Sequence, residues 1–87
     1  MKLPENVQQE ECISLQTMWA EGASTADLLR HLERRGYRGS SLIILMKRAF
    51  TMKLGDTNHL SAWVEHRDDE KLERMLAEVM PERAASD

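Results

Sequence analysis

The sequence predicts an all-α fold of four or five short helices. Two observations carry this. Apolar residues recur at the three- and four-residue spacing of a helix in every long segment, and no window alternates as a strand would. Glycine, proline and capping residues punctuate the chain at intervals of one short helix. With 87 residues the chain has room for one domain, expected over residues 1–80 with a frayed tail at 81–87. Trp19, Trp63, Tyr37 and Phe50 are its only aromatics, so leucine, isoleucine and methionine must supply most of the core.

The first helix is expected over residues 5–20. Pro4 and Glu5 suit a helix start, because proline lacks the amide that would be orphaned there and acid is favoured at the positive end of the dipole. Val7, Cys12, Leu15, Met18 and Trp19 share one arc, and Gly22 supplies the stop. A second helix over 25–35 opens at Ser24, with Asp27 in the position of a capping-box partner. Leu28, Leu29 and Leu32 form its apolar stripe, and Gly36 closes it behind Arg34 and Arg35, cations suited to the negative helix end.

Ser40 or Ser41 caps a third helix over 41–52, which Gly55 is expected to terminate. Leu42, Leu45, Met46, Ala49 and Phe50 share one face; Ser40, Ile44, Lys47, Arg48 and Thr51 occupy the other. A fourth helix over 57–67 presents Leu60, Trp63 and Val64, and a fifth over 69–79 presents Leu72, Met75, Leu76 and Val79. On one straight wheel these two groups would point roughly 110° apart. A break near Arg67–Asp69, with Asp68 or Asp69 as a new cap and Pro81 as the final stop, resolves the conflict.

Composition excludes several classes. Cys12 is the only cysteine, so neither an intrachain disulfide nor a cysteine-built zinc module is available. The polar, acidic start does not read as a secretory leader, and the longest apolar run, Leu42 to Met46, is far below the roughly 18 residues that span a bilayer. A cytoplasmic protein is expected. Charge is segregated: residues 1–28 sum to −4, residues 29–54 to +6 and residues 55–87 to −5, within a net −3. The local field of the basic middle third matters more than the total.

Three helices with short breaks and basic residues around the second break form a helix-turn-helix-like core, with the last two helices as its C-terminal extension. WAEGASTADLLRHL (19–32) resembles the opening of many bacterial helix-turn-helix modules, and RGYRGSSLIILMKR (35–48) resembles a DNA-binding segment of some insertion-sequence transposases. The resemblance covers about 35 residues, on which only a dozen positions carry it. It implies DNA binding for transcriptional or mobile-element control, with Arg38, Ser40, Ser41, Lys47 and Arg48 on the contacting surface. From the residues themselves, Arg34, Arg35 and Arg38 surround the start of the third helix, while Ser40 and Ser41 offer hydroxyls to phosphate. Ile44, Lys47, Arg48 and Thr51 would face the groove, Ile44 against a thymine methyl.

The competing expectation is a protein-binding modulator, an antagonist that covers a surface of a transcription factor or nuclease complex. Ile44 joined to Ile43 in one apolar patch would serve that role. The stripe Leu72, Met75, Leu76 and Val79 serves either the domain's own core or a partner helix in a homodimer. Acidic Glu10, Glu11, Asp68, Asp69 and Glu70 must face away from a phosphate-binding surface or meet a basic partner. Cys12 is expected as a buried inert thiol, and Trp19 and Trp63 as core anchors. His66 could share a helix face with Asp69 or Glu70, yet closed metal sites need three or four convergent ligands. No phosphate loop, metalloprotease motif or nucleophile setting is present, so neither an enzyme, a cofactor nor a small-molecule substrate is expected.

Overall fold

In the computed structural model, which describes residues 4–82, the chain forms five α-helices and no strand among those residues. α1 (Glu5–Ala20) starts behind Pro4, whose carbonyl accepts from the Gln8 amide at 3.0 Å. Gly22, at φ 107°, takes the left-handed turn that lets the Ala23 amide close on the Met18 carbonyl at 3.0 Å. α2 (Thr25–Arg34) has a complete capping box. Ser24 Oγ accepts from the Asp27 amide at 3.1 Å, and Asp27 Oδ2 accepts from the Ser24 amide at 3.2 Å. Gly36, at φ 98°, then repeats the closure seen after α1, with the Tyr37 amide on the Leu32 carbonyl at 3.1 Å.

α3 (Ser40–Phe50) begins one residue earlier and ends sooner than expected. Thr51, not Gly55, takes the left-handed conformation that stops it, at φ 52°, and the Met52 amide closes on the Lys47 carbonyl at 3.0 Å. The reason is tertiary: the early turn carries Met52 into the core, where it is 5 % exposed. Gly55 lies within a single 3-10 turn, Leu54–Asp56.

The break in the last helical region is real. α4 (Thr57–His66) ends at Arg67 in the left-handed region, and α5 (Asp69–Leu76) starts behind Asp68, whose Oδ1 accepts from the Lys71 amide at 3.1 Å. α5 stops at Leu76, short of Val79; the following turns deliver Met80 to the core. Pro81 is held as well, its carbonyl accepting from Trp19 Nε1 at 3.0 Å. Residues 83–87 of the expected frayed tail lie outside the described residues.

α1 lies along α3, with Gln16 Nε2 donating to the Ala49 carbonyl at 2.7 Å. α2 packs on both, α5 covers α2, and α4 joins α3 to α5. Leu15, Leu28, Leu29, Leu32, Leu42, Leu45, Met46 and Leu60 are fully buried between them. Truncating one of these leucines to alanine would cost about 2–5 kcal/mol. Two polar ties lock the layers. Glu73 on α5 accepts from the first amides of α2, Thr25 at 3.2 Å and Ala26 at 3.0 Å, supplying an anion where the helix end is positive. Glu11 on α1, 3 % exposed, accepts from Arg35 Nε at 2.7 Å and from the Tyr37 hydroxyl at 2.8 Å.

Candidate binding surface

The outward face of α3 follows directly from what its other face buries. Leu42, Leu45, Met46 and Ala49 point into the core, so Ser40, Ile44, Lys47 and Arg48 emerge on the opposite arc. Ile44 is 51 % exposed in the middle of that arc. Ser41 and Ile43 flank it half-buried, and Thr51 is exposed just beyond the helix, as its left-handed terminator and not as a further helical position. Gly39, which precedes the helix, has no side chain to cap the first turn, unlike Ser24 at α2 and Asp68 at α5.

The basic residues divide into committed and uncommitted groups. Arg35 turns toward α1 to hold Glu11, so it does not join the α3 surface as a free cation. Arg48 pairs with Glu5 and donates to Gln8 Oε1 at 3.0 Å, although its side chain remains 45 % exposed. Arg38 folds back on the carboxyl end of α2, where Nη1 donates to the Glu33 and Tyr37 carbonyls at 2.7 and 2.8 Å. Its charge is still at the surface. Among the described residues no ion pair involves Arg34, Arg38 or Lys47, and all three are exposed.

No family model matches the chain. Nor is any curated protein or solved structure significantly similar to it.

The stripe on α5 is placed differently from a partner helix. Leu72 and Leu76 are 2 % and 0 % exposed within the chain's own core, and Val79 packs against it. Only Met75, at 40 %, keeps much surface. The acidic flanks are also mostly committed: Glu11 is buried, Asp68 caps α5, and Asp69 pairs with Arg30 at 2.7 Å. Asp69 shares no helix face with His66, because the break at Arg67 separates them. Among the described residues, no three histidine, cysteine or acidic side chains come together to hold a metal ion. Cys12 is 7 % exposed, with Sγ 3.8 Å from the Leu45 carbonyl, and burial pushes its thiol pKa up. No described helix is long and apolar enough to cross a membrane.

The linear sequence gave no sign of the cluster around Trp63. Arg67 donates through both terminal nitrogens to Glu33 at 2.6–2.7 Å, while Asp69 receives Arg30 and Trp63 Nε1 (2.7 Å). Both guanidiniums also stack on the indole, with Cζ 5.5 Å (Arg30) and 4.4 Å (Arg67) from its centroid. These partners lie on different helices, so periodicity along one helix cannot reveal them.

Proposed function

We propose that the chain is a small cytoplasmic, non-enzymatic regulator that binds duplex DNA through the outer face of α3. The single observation that supports this most is the exposed arc Ser40–Ile44–Lys47–Arg48, set behind the turn that carries Arg34 and Arg38. On this reading Arg34, Arg38 and Ser40 hold phosphate, and Ile44 and Lys47 meet base edges in the major groove. Pairing of two chains through α5 has little beyond Met75 to use, so one chain is read as engaging one site.

The test is duplex binding across a salt series. The two cations that hold phosphate, Arg34 and Arg38, predict a slope of log K against log salt of about −1.8, from about −0.9 per phosphate neutralised. Absence of a duplex shift by micromolar protein at low salt defeats the proposal.

A protein partner is favoured by one specific observation: the centre of the arc is an isoleucine, and two of the nearby arginines are already paired. An antagonist that seats Ile44 in a partner's pocket would use the same face. Ile44→Asp would abolish capture of such a partner, and that capture would persist after nuclease treatment.

A further inference from the structure

Between α4 and α5, beside the two-residue turn Arg67–Asp68, lies a notch of about 360 Å³. That volume lies in the range of small-molecule sites, near its lower end. Its α4 wall comes from His59, Ala62, Trp63 and His66, the one-face spacing of a helix, and its α5 wall from Lys71, Leu72 and Met75. The floor is apolar: Trp63 and Leu72 are each 2 % exposed, and Met75 adds a flexible, polarisable rim. From His59 to His66 the wall is about 10 Å long at the helical rise.

Three of the four polar residues lining the notch are hydrogen-bond donors or cations. Lys71 carries a full positive charge, and the imidazoles of His59 and His66 can each donate a hydrogen bond. Neither Lys71 nor His59 has a side-chain partner among the described residues, and His66 is joined only to its exposed neighbour Glu65, at 3.8 Å. Asp68, the one acid lining the notch, turns Oδ1 to the Lys71 amide, where the positive end of α5 offsets its charge. The indole itself is not available to a cation, because Arg30 and Arg67 already stack on it.

We propose that this notch binds a small amphipathic carboxylate: an apolar body of about 10 Å laid along Ala62 and Leu72 toward Met75, with its anionic end at Lys71. The notch would then be an effector site, separate from the α3 surface and independent of what that surface binds.

The probe is 4-phenylbutyrate, titrated into the full chain while backbone amide shifts are followed by NMR, with 4-phenylbutylamine as its cationic counterpart. The carboxylate should give saturable shifts confined to residues 59–75, and the amine should bind about two- to fivefold more weakly, the worth of one exposed charge contact. Lys71→Met, which keeps the apolar stem at an exposed position, should weaken the carboxylate by a similar factor with an otherwise unchanged spectrum. Lack of saturable shifts at millimolar carboxylate, shifts centred outside the notch, equal binding of the amine, or indifference to Lys71→Met would each overturn the proposal. The comparison of carboxylate with amine uses the unmodified chain, so it decides the matter even where a variant misfolds.

Discussion

The Arg67 guanidinium lies 4.4 Å from the centroid of the Trp63 indole. The same guanidinium makes a two-pronged contact with Glu33, and the residue itself stands in the left-handed backbone region at φ 55°. A non-glycine residue there carries a backbone cost of about 1–2 kcal/mol. The side-chain contacts offset it, tying the α4–α5 turn to α2.

Position 67 therefore separates backbone from side-chain effects. Arg67→Ala should destabilise the fold, because it removes both contacts and keeps the strained backbone. Arg67→Gly loses the same contacts and relieves the strain, so it should be about 1 kcal/mol more stable than Arg67→Ala. Urea unfolding of the two variants checks this. Equal midpoints would mean that the left-handed turn stores no cost.

Glu11 should be the most sensitive polar position. Replacing it with alanine strips the Tyr37 hydroxyl and Arg35 of their shared acceptor beneath α1, at a cost of about 1–3 kcal/mol. Arg35→Ala should cost less than that, since the Arg35 side chain is 55 % exposed and water replaces its partner in part. A denaturation series that ranks Arg35→Ala above Glu11→Ala would contradict this account of the latch.

Glu73 acts as an N-terminal cap supplied from another helix. Glu73→Ala should lower stability by about 1 kcal/mol, with faster amide exchange at Thr25 and Ala26. Glu73→Gln, which retains an acceptor without the charge, should recover part of the loss. Unchanged exchange at those two amides in Glu73→Ala would argue that the cap contributes nothing.

Acid should loosen the joint between α2 and the α4–α5 turn first. Arg67 holds the Glu33 carboxyl below its usual range, and Arg30 with Trp63 Nε1 does the same for Asp69. Both groups have folded-state values below the unfolded ones. Their contribution is thus complete above about pH 5.5, beyond the ordinary carboxylate range, and is lost as pH falls through that range to the lower folded values. Glu33→Gln should flatten the acid limb of a stability–pH profile; a limb of the same steepness would assign acid sensitivity elsewhere.

The Glu5–Arg48 pair bears on DNA binding. If α3 is the contacting helix, Glu5→Gln releases Arg48 for one more phosphate. Affinity for duplex should rise, and the salt slope should steepen by about 0.9. A weaker or unchanged slope would leave Arg48 as a purely structural clamp on α1.

Much of the candidate surface was legible in the chain itself. The outward arc of α3 followed from its period, because burying Leu42, Leu45, Met46 and Ala49 leaves Ser40, Ile44, Lys47 and Arg48 outside. The notch between α4 and α5 carried a fainter trace, the spacing of His59, Ala62, Trp63 and His66, which gains meaning only once α5 forms its second wall.

Sequence alone determined where α1, α2 and α5 start and where α1 and α2 stop, because caps and left-handed stops are chemistry between residues a few positions apart. Ser24 with Asp27, Gly22, Gly36 and Asp68 all act within such a span. Tertiary structure alone decided which charges are free. Arg35 meets Glu11 across 24 positions, Arg67 meets Glu33 across 34 and Arg48 meets Glu5 across 43. It also placed Leu72 and Leu76 inside, and ended α3 at Thr51 so that Met52 enters the core. A helical period fixes which side of one helix is apolar. It does not specify which other helix will lie against that side, and the pairing of long-range charges depends on that choice.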